Sequence, residues 1–220
     1  MALPVLVTIE DINDLIGYLK TKPAGASVDD AKKVIRKQIL DARKMPAYDQ
    51  WNIIKREGEN IKLDERGWHL ARNSWPRHVV FQEILKSNTA YVSVLEWAFH
   101  SDLEEISNVD AGSHWHEHFS EVLGTDNEQS IKDRVVCFFR LCEEAKLGTL
   151  TIGRRGQTTR LALSTDTLEL FIGAGISKEE EPSVEDSEVV SKLEKKQAEN
   201  DDKEVEPPIL IENSFHCSCR

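Results

Sequence analysis

Apolar residues recur at helical spacing through TIEDINDLIGYLKTKP, where Ile12, Leu15, Ile16 and Leu19 share one face. Thr8 stands at the capping position, Glu10 and Asp11 fill the first turn, and Pro23 and Gly25 end the run. SVDDAKKVIRKQIL predicts a second helix, with Ser27 and Asp30 in a capping-box relation. Its expected buried stripe is Val28, Ala31, Val34, Ile35 and Ile39 or Leu40. In DARKMPAYDQWNII, Pro46 marks the start of a helical turn that packs Ala47, Tyr48 and Trp51 inward.

The period then changes. Ile53-Ile54-Lys55-Arg56 and Ile61-Lys62-Leu63 are short strand candidates joined by a Gly/Asn turn, and Asp64 to Arg72 returns to helical spacing. The second part repeats this order. SWPRHVVFQEILKS, NTAYVSVLEWAFHS and SHWHEHFSEVLG are predicted helices, with Pro76 at a helix start. DNEQSIKDRVVCFFRLCEEAKLG is a long helix with a stripe of Ile131, Val135, Phe138 or Phe139, Cys142 and Ala145, stopped by Gly148. TLTIGRRGQTTRLALS reads as strand, Arg-Arg-Gly turn and strand, with Leu150 and Ile152 opposite Leu161 and Leu163; TDTLELFIG closes with a short helix. The expected fold is therefore mainly α with small β-hairpins: two winged-helix-like units in tandem, residues 1–75 and 76–173. The tandem is one of pattern and not of sequence repeat.

From Lys178 the chain is charged, flanked by proline and almost free of aromatic residues. A disordered acidic linker is expected over 174–208, because so little apolar surface cannot offset ordering entropy. An apolar pattern restarts at ILIENSFHCSCR, residues 209–220, and stops. That is expected of a truncated product or of an arm that adds to a partner's sheet.

Charge refines the picture. The net charge is −11, but residues 1–75 carry thirteen Lys/Arg against eleven Asp/Glu, and residues 178–220 carry six against thirteen. The balance argues against a polyanion binder over the whole chain and leaves the first unit open. No apolar run reaches membrane-spanning length, and MALPVLVTIEDIND turns acidic without a basic start, so no membrane association and no signal peptide are expected. Cysteines at 137, 142, 217 and 219 form no disulfide framework, and a reducing cytoplasm is the expected location.

LPVLVTIEDINDLIGYLKTKPAGASVDDAKKVI, AYDQWNIIKREGENIKLDERGWHLAR and IKDRVVCFFRLCEEAKLGTLTIGRRGQTTRLALS resemble a group of uncharacterised prokaryotic tandem winged-helix proteins. The resemblance spans roughly residues 3–172, and KTKPAGASVDDAK and IKLDERG are its most specific pieces. It implies the winged-helix fold and, less directly, a DNA-associated or transcription-regulatory role. Proteins of this group often continue past an acidic linker into a further apolar strand; here ILIENSFHCSCR stops short.

A DNA-reading winged helix needs donors on the helix before the wing and cations on the wing itself. Arg36, Lys37, Arg43 and Lys44 precede the third helix, and Lys55, Arg56 and Lys62 lie on the hairpin. Glu57 and Glu59 at the tip, with Asp41 and Asp49 nearby, oppose phosphates. The second hairpin carries Arg154 and Arg155 at its turn and Arg160 beside it, suited to phosphate forks, although its helices are acidic. Double-stranded DNA is thus one expected partner; a protein partner or a second copy of the chain is the alternative.

His114, His116 and His118 lack the H-E-x-x-H arrangement and read as solvated helix histidines. Cys217-Ser-Cys219 with His216 lacks zinc-knuckle spacing. Cys137 and Cys142 read as core sulfurs, and the five tryptophans as core and interface anchors. No phosphate-binding glycine loop, nucleophile elbow or acid–base pair is present in the sequence, and GAGIS (173–177) reads as the start of the linker. A non-enzymatic protein without metal or cofactor is expected.

Overall fold

The computed structural model describes residues 2–154 and 157–176; the linker expected from the sequence, apart from residues 174–176, and the expected C-terminal strand, Arg155, Cys217 and Cys219 lie outside the described residues. The described chain is mainly helical, with two small antiparallel three-stranded sheets. Its first half runs α1 (Ile9–Leu19), β1 (Ala26–Ser27), α2 (Val28–Val34), a 3-10 turn (Lys37–Leu40), α3 (Met45–Gln50), β2 (Ile54–Glu57), β3 (Asn60–Leu63) and α4 (Glu65–Arg72). After α5 (Arg77–Lys86), the second half runs α6 (Thr89–His100), β4 (Glu105–Ser107), α7 (Asn108–His118), α8 (Ser120–Leu123), α9 (Glu128–Glu144), β5 (Gly148–Thr151), β6 (Arg160–Leu163) and α10 (Thr165–Ile176).

The two halves repeat each other at the level of single hydrogen bonds. The sheets are ordered β1-β3-β2 and β4-β6-β5, each a hairpin joined by a strand from before the second helix of its half. Asn52 and Lys146 end α3 and α9 in left-handed conformation, φ 52° and 61°. The next residues, Ile53 and Leu147, donate back to Tyr48 and Cys142, each at 2.9 Å, closing the same helix-ending motif twice. Ser27 and Ser107 both end the outer strand and cap the next helix through the backbone of Asp30 and Asp110. SVDDA (27–31) and SNVDA (107–111) thus share an S-x-x-D-A signature, a short sequence repeat where only a repeat of pattern was expected. It specifies the same junction twice.

Elsewhere the structure corrects the sequence reading. The helix expected over 27–40 breaks at Ile35, whose backbone is extended at φ −107° and ψ 163°. The break aims Ile39 and Leu40 into the core and leaves Val34, expected to be buried, 70% exposed. The helix expected at SHWHEHFSEVLG begins earlier, at Asn108, because Ser107 and Asp110 form a capping box there. Gly148 does not stop α9; Lys146 takes the left-handed turn, and Gly148 is where β5 passes so close to β6 that a Cβ would sit 2.3 Å from the Ala162 carbonyl oxygen. α10 continues through Ile176, so the start of GAGIS is helical and not linker.

One core of buried side chains runs through both halves, which form a single compact body. Trp51, Trp115, Tyr48, Tyr91, Phe81, Phe138 and Phe139 are its largest fully buried members, with stacking between Tyr91 and Phe138 at 5.0 Å. Polar links add to it. Arg66 of α4 donates to Ser87 Oγ beyond α5, and Arg77 bonds both Asn13 of α1 (3.0 Å) and Glu144 of α9 (2.5 Å).

Candidate nucleic-acid interface

A winged-helix reader presents three things to DNA: the segment leading into the third helix, that helix's outer face, and the wing. The first of these is charged but largely neutralised from within. Arg36 lies 2.9 Å from Asp14 and 3.7 Å from Asp11. Arg43 grips Asp41 with two guanidinium nitrogens at 3.1 and 3.2 Å and also donates its backbone N–H; these bonds bring the Asp41 pKa down to about 2. Lys44 bonds Asp11 at 2.7 Å with 13% of its side chain exposed against 5% for Asp11. It is a part of the packing of α1 against α3. Burial acts to raise the Asp11 pKa, but hydrogen bonds from Lys44 and Thr8 outweigh it and hold the carboxyl below its usual value. Of this group, Lys37 alone is exposed without an ion-pair partner among the described residues.

α3 itself is short. Met45, Ala47 and Tyr48 are buried, so Pro46, Asp49 and Gln50 supply its accessible surface, and none of them is cationic. On the first hairpin, Gly58 has φ 63° in the two-residue turn between paired Glu57 and Asn60, the position such turns reserve for glycine. Glu57 takes Lys62 at 2.7 Å and Lys55 at 3.9 Å, and the Lys62 hydrogen bond lowers its pKa. Arg56 is exposed and has no ion-pair partner among the described residues.

In the second half the counterpart of α3 is α9, and it is enclosed. Its Ile131, Val135, Phe138 and Cys142 face the core of its own half. Around the helix, Arg134 and Arg140 donate to the backbone carbonyls of Leu3 and Val7, and Leu3 N–H donates to Val122 at 3.1 Å. The N-terminal segment therefore runs along α9, while α5 packs on it from another side. On the second hairpin, Arg160 bonds Glu105 of β4, and Arg154 is exposed without an ion-pair partner among the described residues.

Burial pushes Tyr48, Tyr91, Cys137 and Cys142 up, Cys137 to about 12, so each stays neutral. His114, expected to be solvated, is half-buried: it stacks on Trp97 at 5.2 Å and bonds Ser93 Oγ at 2.9 Å, and burial lowers its pKa. Among the described residues no group of three His, Cys, Asp or Glu side chains is placed to hold a metal ion. No described helix is long and apolar enough to cross a membrane. Trp51 and Trp115 are core residues, but Trp75, expected as an anchor, is 42% exposed and stacks on His69 at 3.9 Å.

Comparison of the chain with family models, with curated proteins and with solved structures finds no significant match.

Proposed function

We propose that this chain is a non-enzymatic protein–protein interaction adaptor built on two winged-helix-like units. The repeated order of helix, strand, helix, helix and hairpin, with the same sheet order in both halves, supports the winged-helix reading. One observation carries the adaptor reading: α9, which a DNA-reading second unit would lay in the major groove, is covered by the N-terminal segment and α5. The first unit leans the same way. Arg36, Arg43, Lys44, Lys55 and Lys62 each face a carboxylate, so no continuous positive face joins them.

Lys37, Arg56 and Arg154, exposed and without ion-pair partners among the described residues, favour a second reading as a DNA-associated, transcription-regulatory protein. Fluorescence anisotropy of the full chain with labelled mixed-sequence duplex DNA over a salt series separates the two. The adaptor reading expects no saturable binding even at low ionic strength. Saturable binding whose affinity falls steeply with salt would overturn it, because phosphate neutralisation releases counterions.

A further inference from the structure

Gly17 lies in the interior of α1, where glycine is the least favourable residue after proline. Most of the other described glycines have reasons within the fold. Gly25, Gly58 and Gly124 have positive φ, and an added Cβ at Gly67, Gly112, Gly148 or Gly153 would meet another atom closer than 3.0 Å. Only Gly17 and Gly173 have neither, and a Cβ on Gly17 would meet nothing within 4 Å. A helix-interior glycine that nothing among the described residues requires leaves room there for a partner's backbone to come close.

Gly17 also lines a cleft of about 190 Å³ between α1, the end of α4 and the start of α5. Asn13 and Lys20 stand on its α1 side, and Leu70, Asn73 and Arg77 on the other. Among the described residues no carboxylate lines it. Arg77 is bonded to Glu144 and Asn13, whereas Lys20, at the end of α1, is exposed without an ion-pair partner among the described residues. The acids on the same face of α1, Glu10 and Asp14, lie toward its other end beside Arg36. Ile16, Leu70 and Ala71 contribute apolar surface to it, and the polar groups of Asn13, Lys20, Asn73 and Arg77 supply the larger share of its lining.

We propose that the cleft beside Gly17 is the docking site for an acidic peptide segment of a partner protein. An apolar side chain seats over Gly17, where the missing Cβ lets the partner's backbone approach α1, and an adjacent carboxylate reaches Lys20. This rests on the adaptor reading and names the surface through which it acts.

Panning the full chain against a displayed library of random peptides tests the site. Peptides that pair Asp or Glu with an apolar neighbour are expected to be enriched. They should bind Gly17→Leu and Lys20→Glu about tenfold or more weakly. Gly17→Ala serves as the folding control and should raise the thermal midpoint by about 2–4 °C. Enriched peptides that bind Gly17→Leu as tightly as the parent overturn the cleft and leave the adaptor reading standing. No enrichment also overturns the cleft; joined to salt-dependent duplex binding, it removes the adaptor reading as well.

Discussion

Asp11 on α1 and Lys44 at the entry to α3 meet at 2.7 Å, with both side chains almost withdrawn from solvent. Asp11 also accepts from Thr8 N–H, so one carboxylate caps α1 and ties it to α3. Removing Lys44 leaves the buried Asp11 carboxylate to Arg36 at 3.7 Å and to the Thr8 N–H. Lys44→Met is therefore expected to cost about 1.5–3 kcal/mol, the loss of a hydrogen bond to a charged group, and Asp11→Asn/Lys44→Met to recover part of it. Chemical denaturation of the two variants measures the difference.

The same pair fixes a sign for the pH dependence. Asp11 titrates below its ordinary value of 3.8 in the folded protein, so the unfolded chain takes up its proton first as pH falls. Its contribution to stability is complete above that ordinary value and is lost as pH falls through the lower folded value. Asp11→Asn is expected to flatten the acid limb of stability against pH. Urea titrations at successive pH values read this directly.

Two glycines give the opposite outcome to Gly17. A Cβ at Gly67 would lie 2.1 Å from the Ile53 carbonyl oxygen, and one at Gly148 2.3 Å from that of Ala162. Both obstacles are backbone atoms and cannot rotate away. Gly67→Ala and Gly148→Ala are expected to cost about 1–3 kcal/mol or more, and Gly17→Ala to gain about 0.5–1 kcal/mol. Thermal melts of the three variants check the contrast in sign.

What the sequence disclosed followed from local rules. The stripe from Ile131 to Ala145, the Thr8 cap and the pairing of both hairpins each depend on near neighbours, and each is found in the structure. Strict alternation is not, since Lys55, Arg56 and Glu57 are all exposed along β2, and Ile152, expected in the second hairpin, lies past β5 and is 47% exposed. β1 and β4 escaped because strands of two and three residues have no period to detect and exist only through pairing with β3 and β6. The left-handed turn at Lys146 escaped because lysine carries no turn signal, whereas Asn52 in the matching place does. The interface was least legible. Arg36 and Lys44 count as free cations in sequence, but Asp14 and Asp11, which neutralise them, lie 22 and 33 residues away.

Cys137 reports on the segment that covers α9. It is fully buried, and burial outweighs its hydrogen bond with the Val7 backbone and the nearby arginines to push the thiol up to about 12. In a Cys217→Ser/Cys219→Ser background, the native protein should not react with a chromogenic disulfide at neutral pH, and two thiols should appear on denaturation. Arg140→Ala removes a donor to the Val7 carbonyl. It should speed the reaction of the native protein by loosening that segment; an unchanged rate would mean that packing alone holds it.

The first hairpin decides between the two readings of function. Its tip turns at Gly58-Glu59, and Glu57 collects both Lys55 and Lys62, so the hairpin presents Arg56 as its cation without an ion-pair partner among the described residues. Surface ion pairs of this kind contribute little to stability, which makes the charges separable from the fold. Glu57→Gln/Glu59→Gln should therefore leave the thermal midpoint nearly unchanged while freeing both lysines and removing repulsion at the tip. If the hairpin tracks phosphates, that variant binds duplex DNA more tightly, and Lys37→Glu/Arg56→Glu weakens binding on all sequences alike, because phosphate contacts position and do not specify. Each lost contact should also flatten the salt dependence by about one unit of slope. The adaptor reading expects neither change to create or remove duplex binding, with peptide capture at the Gly17 cleft unaffected by both, since the cleft lines α1, α4 and α5 and not the hairpin. Anisotropy on the two variants, run beside the peptide assay, assigns the hairpin to one role or the other.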